Sequence, residues 1–144
     1  MVAWGAGKTN NPADLVDYGQ SIVPAGMTNH VVAIAAGAFH SLAVENDGTV
    51  IGWGDNFQGQ APPPEGLGNV VAIAGGYAHS VAVQSNGLVV AWGDNTYGQT
   101  NVPSGLRNVA AIAGGYYHSL ALKSDGTVVA WGFNANGQTN VPWN

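Results

Sequence analysis

Residues 69–99 of this 144-residue chain are said again, slightly altered, at 108–138, and a looser copy runs over 31–60. His40, His79 and His118 stand 39 residues apart, as do Trp53, Trp92 and Trp131. A fixed period of this size marks a repeat architecture, in which each unit buries its apolar faces against its neighbours and none is stable alone. Function must therefore be read from the unit and from the places where copies differ.

Each unit reads as short strands. Ala33-Ile34-Ala35 and its copies alternate one large residue with small ones and stop at Gly37, Gly76 or Gly115. Such strict alternation over a short run argues for a strand. A second alternating run starts at Ser41 and leads into Asn46-Asp47-Gly48, Ser85-Asn86-Gly87 or Ser124-Asp125-Gly126. Asp-Gly and Asn-Gly between alternating runs signal a hairpin, because both residues tolerate the positive φ of the favoured two-residue turn. Val50 to Trp53 and its copies form the returning strand. No stretch has a capped helical period, so the expected class is all-β, with blades of about 39 residues in a β-propeller. A β-solenoid is the rival architecture. Small Ala and Gly suit the axis on which blades converge, and the tryptophans suit the wider outer gaps.

The expected organisation is one repeat domain: a partial unit with an inserted loop at 1–30, then blades at 31–69, 70–108 and 109–144, the last with a C-terminal tail. Val2-Ala3-Trp4-Gly5 matches the end of each later unit, as Val129-Ala130-Trp131-Gly132 does, and so reads as an orphan strand.

Charged residues make up only 8%, and the net charge is −5 with three Lys and Arg in all. Nucleic acid is excluded as a partner, since phosphate binding needs clustered basic side chains. The absence of cysteine excludes disulfides and thiolate chemistry. The apolar runs are too short to span a bilayer, and the start lacks a signal-peptide pattern. The location is therefore open between the cytoplasm and secretion after leader removal.

Three histidines in register invite a metal reading, yet equivalent residues on successive blades lie a blade apart, whereas zinc gathers its ligands within a few ångströms. The adjacent pairs His40-Ser41, His79-Ser80 and His118-Ser119 suggest nucleophile and base, but neighbours along a strand point to opposite faces and no acid recurs beside them. The expectation is a non-enzyme with no metal and no cofactor. His40, His79 and His118 then serve blade-to-blade bonding, with Trp53, Trp92 and Trp131 as packing residues. Asp55 and Asp94 recur without the ligand spacing of a calcium loop, and Phe133 replaces the acid in the third copy.

The copies disagree just before the fixed histidine and just before the fixed Gly-Gln, in connections between strands, where binding residues are commonly placed. Phe39, Phe57, Tyr77, Tyr97, Tyr116 and Tyr117 are the candidate partner-binding residues, aromatics being typical interface anchors. Asp55 and Asp94 are candidates for polar contacts at the rim.

The pattern across Ala111 to Pro142, with its His-Ser, Asp-Gly, Trp-Gly and Gly-Gln landmarks, resembles the repeat of the regulator of chromosome condensation superfamily. It looks closest to the bacterial branch of propeller-type β-lactamase inhibitory proteins. The resemblance implies a propeller, with loop aromatics on one face as the contact residues. Family rings usually have seven blades, and two copies of this chain hold roughly seven periods. The expectation is a half-propeller that completes a ring as a homodimer and binds a protein partner. Three alternatives stay open: sugar or small-ligand binding in repeated pockets between blades, a purely structural or engineered fragment, and an inhibitor-like role.

Overall fold

The computed structural model describes residues 17–27 and 30–142. Among them are nine strands and no helix. They form three antiparallel sheets, each running in simple order: β1 (Val31–Ala36), β2 (His40–Glu45) and β3 (Val50–Gly54); β4 (Val70–Gly75), β5 (His79–Gln84) and β6 (Val89–Gly93); β7 (Val109–Gly114), β8 (His118–Lys123) and β9 (Val128–Gly132). The all-β reading and the repeat of about 39 residues hold, as three propeller blades. The partial unit's Val2–Gly5 segment lies outside the described residues.

The hairpin turns differ in one respect from the two-residue turn that the sequence suggests. Only the glycine takes the left-handed conformation, Gly48 at φ 82°, while Asp47 keeps a negative φ. Its carboxylate instead accepts the Thr49 amide at 2.9 Å, as Asn86 does for Leu88 and Asp125 for Thr127. Such a turn ends in a bulge at the glycine, which explains why Asp and Asn alternate freely before it.

Register assigns every side chain to a face. Ala35 lies opposite Leu42, and His40 opposite Gly54. Because side chains alternate, Ala33, Ala35, His40, Leu42 and Val44 share the face toward the following blade, and Ile34, Ala36, Ser41 and Trp53 share the opposite face. The two are called here the trailing and leading faces. Two cores result, one per seam. In the first, Leu42 and Val44 of one blade pack with Ile73, Ala82 and Trp92 of the next. In the second, Val81 and Val83 pack with Ile112, Ala121 and Trp131. At the small-residue edge the backbones nearly touch: a Cβ on Gly75 would lie 2.6 Å from the Gly37 nitrogen, and one on Gly114 2.5 Å from the Gly75 oxygen. Ala36 holds the equivalent place in the first blade.

Candidate functional site

In a three-stranded antiparallel sheet, the first loop and the exit from the third strand lie at the same end, opposite the hairpin turn between strands two and three. The two variable connections of each unit are therefore brought together at one end of the blades. Their rings meet. Phe57 packs edge-on to Tyr18 (6.0 Å between centroids), Tyr18 to Phe39 (5.5 Å), and Phe39 to Tyr77 (5.8 Å). Tyr77 stacks on Tyr116 at 4.2 Å and meets Tyr117 at 5.8 Å. Tyr117 then contacts Tyr97 at 4.8 Å, and Tyr97 contacts Phe133 at 4.8 Å. All five tyrosines and all three phenylalanines of the chain belong to this single belt.

The belt is open to solvent, Phe57 being 83% exposed and Tyr116 57% exposed. The hydrogen bond with the Tyr116 phenol raises the pKa of the Tyr77 hydroxyl above its ordinary value. The six aromatics singled out from sequence are all here. Tyr18 and Phe133 are members that the sequence reading did not select.

Asp55 and Asp94, half-buried beside the belt, each hydrogen-bond within their own loop. The Asp55 carboxylate accepts the Phe57 amide at 3.1 Å and the Gln60 side-chain amide at 2.8 Å. Asp94 accepts Thr96 N at 3.0 Å and Gln99 Nε2 at 2.8 Å. Gln60 and Gln99 are buried, and each carbonyl oxygen Oε1 folds back to accept an amide of its own turn, from Gln58 and Tyr97 respectively. These acids brace the loops that carry the aromatics. Blade three has Phe133 in place of the acid and gains a ring in the belt instead.

Below the belt the histidines and serines meet across blades, not within a pair. His40 Nε2 lies 2.9 Å from Ser80 Oγ, and His79 Nε2 lies 3.0 Å from Ser119 Oγ. Ser80 donates its proton to the Gln60 carbonyl at 2.8 Å, and Ser119 donates to that of Gln99 at 2.9 Å. A hydroxyl carries one proton, so each serine accepts from its histidine, and each histidine is the Nε2–H tautomer. Nδ1 of both rings is left bare and buried, without a partner among the described residues. Burial lowers the pKa of His40 and of His79 to about 4; His79 adds to the effect at His40, while the Asp55 and Asp94 carboxylates oppose it at His40 and His79 respectively. No acid orients these imidazoles and each hydroxyl is spent on a backbone carbonyl, so the geometry ties blades together and does not activate a nucleophile. Ser80→Ala would strand the His40 N–H and the Gln60 carbonyl, both in the interior. We expect a loss of roughly 1–3 kcal/mol in a urea titration followed by tryptophan fluorescence.

Trp53 donates its indole N–H to the Gln20 carbonyl at 2.8 Å and Trp131 donates to that of Gln99 at 2.9 Å, so these two Gly-Gln connectors are pinned by the tryptophan of the blade after them. The Trp92 indole N–H is buried with no partner among the described residues. Among those residues no group of three or more His, Asp or Glu side chains is placed to hold a metal ion. No helix there is long and apolar enough to cross a membrane.

Stacked three-stranded sheets, cross-blade histidines and loops gathered at one end define a propeller-type repeat module. The family model of the regulator of chromosome condensation (RCC1) repeat matches residues 31–60, 70–99 and 109–138, and the chain belongs to this family. No curated protein sequence matches it. Among solved structures it is similar to Prp20p of Saccharomyces cerevisiae, a crystal structure described together with its binding to Gsp1p and histones. The identity is 27% and the TM-score 0.71, over 83% of this chain and 34% of that one. Yeast RCC1 (Prp20) bound by Kap60 gives 29% and 0.67, over 83% and 34%. The ectodomain of the receptor kinase CR4 from Physcomitrella patens gives 26% and 0.68, over 81% and 34%. The chain thus spans about a third of the length of these structures.

Proposed function

We propose that this chain is a non-enzymatic propeller module that binds a protein partner through the aromatic belt and associates with itself to complete its blade stack. The observation that carries the reading is the collection of every Tyr and Phe of the chain into one exposed belt on loops where the copies diverge. Rigid rings of this kind give large contact area at low ordering cost. The related yeast propeller, described as binding Gsp1p and histones, supports a protein as the ligand class. With a net charge of −5 and aromatic faces that attract cations, the belt suits a basic protein segment. Inhibition of a β-lactamase-like enzyme is the special case implied by the sequence pattern. The sugar-binding alternative has less support, because the Asp55 and Asp94 carboxylates are already engaged within their own loops.

Calorimetric titration of the chain with histones, with a Ran-type GTPase and with a class A β-lactamase tests this reading. Saturable binding of one of them is expected, weakened at least about tenfold by Phe57→Ala or Tyr97→Ala, with unchanged thermal stability for the exposed Phe57 variant. Binding of glycans at one site per blade, with no protein bound, would overturn it.

A further inference from the structure

We infer that two copies of this chain dock head to tail, the trailing face of the last blade on the leading face of the first, by reusing the seam that already joins blades inside one copy. The inference rests on the self-association reading and supplies its contacts.

The seam occurs twice in the fold with the same chemistry. A histidine and two branched aliphatic residues on a trailing face meet an isoleucine, a serine and a tryptophan on the next leading face. Each end of the described fold presents one unused half. On the first blade, Ile34, Ser41 and Trp53 hold the places of Ile73, Ser80 and Trp92. On the last blade, His118, Leu120 and Leu122 hold the places of His79, Val81 and Val83. Ile34 is 68% exposed and Leu122 41% exposed, whereas Val81 is fully buried in its seam. Ser41 already donates to the Gln20 carbonyl at 2.9 Å, as Ser80 and Ser119 donate to their connectors. Its oxygen is therefore poised to accept from an imidazole, which His118 of a second copy supplies. Because the two surfaces differ, the contact is head to tail, and two such contacts close a ring of two copies where the rotation per copy allows.

One position departs from the pattern. Ala36 stands where Gly75 and Gly114 allow the preceding backbone to approach. The joint between copies is therefore wider at its small-residue edge than the joints within a copy, and it is held by Ile34, Trp53 and the His118–Ser41 bond. Ala36→Gly should tighten it.

Sedimentation velocity on the intact chain is the test. Self-association is expected, weakened at least about tenfold by Ile34→Lys or by Leu122→Glu, since each places a charge in an apolar contact. An equimolar mixture of the two variants should recover association, because the untouched trailing face of one meets the untouched leading face of the other. Far-UV circular dichroism melts should match the parent, as both side chains are exposed. Lack of association in the parent chain overturns both the seam and the self-association reading. Association indifferent to both substitutions overturns the seam alone. Loss in only one of the two variants shows that like faces meet and overturns the head-to-tail arrangement, as do loss in both without recovery on mixing and weaker association in Ala36→Gly.

Discussion

Between pH 6.5 and pH 4 the protein should lose several kcal/mol of stability through two of its histidines. His40 and His79 each titrate near pH 4 in the fold, against about 6.5 in an unfolded chain. The unfolded state thus binds more protons in this window, and stability falls as pH falls. The contribution is fully present above 6.5, declines through the window and levels off once pH passes below the folded value. A shift of this size corresponds to roughly 3 kcal/mol for each histidine, against roughly 5–15 kcal/mol for a whole domain. The physical cause is local: a proton added at Nδ1 would sit in a buried position with no acceptor. Urea midpoints measured at pH 7.0, 5.5 and 4.5 would show the loss, and replacing both histidines by Gln should flatten the curve over that interval. A midpoint independent of pH there would contradict the bare-Nδ1 arrangement.

Gly76→Ala should be strongly destabilising, although it adds only one methyl group. A Cβ at this position would land on the His79 imidazole and lie 2.7 Å from the Gly115 carbonyl oxygen of the next blade. The ring cannot swing aside without losing its bond to Ser119, and the carbonyl belongs to backbone. Overpacking combined with the loss of a buried hydrogen bond places the cost at about 3 kcal/mol or more. Gly68→Ala is the matched control, since a Cβ there meets nothing within 4 Å and the backbone has no positive φ. It should leave the thermal midpoint within a degree or two, an effect of at most about 0.5 kcal/mol. Thermal melts of the two variants side by side decide the matter.

The blades were legible because their signals are local. Alternating runs, Asp-Gly and Asn-Gly turns and a strict period fix strand identity and register without knowledge of anything distant. The binding of His40 to Ser80 was not legible in detail, because the partner is 40 residues away and adjacency in sequence draws attention to Ser41. The bracing of the loop by Asp55 is hidden for a related reason: nothing in the spacing shows Gln60 turning back to meet its carboxylate. Tyr18 was passed over because it falls in the irregular first unit. Phe133 registers in the sequence as the loss of an acid, and only the fold shows the gain of a ring. What the sequence hid, in each case, was a side-chain direction set by a neighbouring blade.

The recurring histidine-to-serine bond carries an evolutionary consequence. Since every internal junction is made by the same pair of surfaces, a gene segment encoding one whole period can be copied or deleted in frame while the joints on either side keep their partners. Lineages can therefore change the number of loops displayed, and with it the breadth of the aromatic surface, without inventing new adhesive chemistry. Divergence is then free to concentrate in the handful of loop positions that meet the outside world.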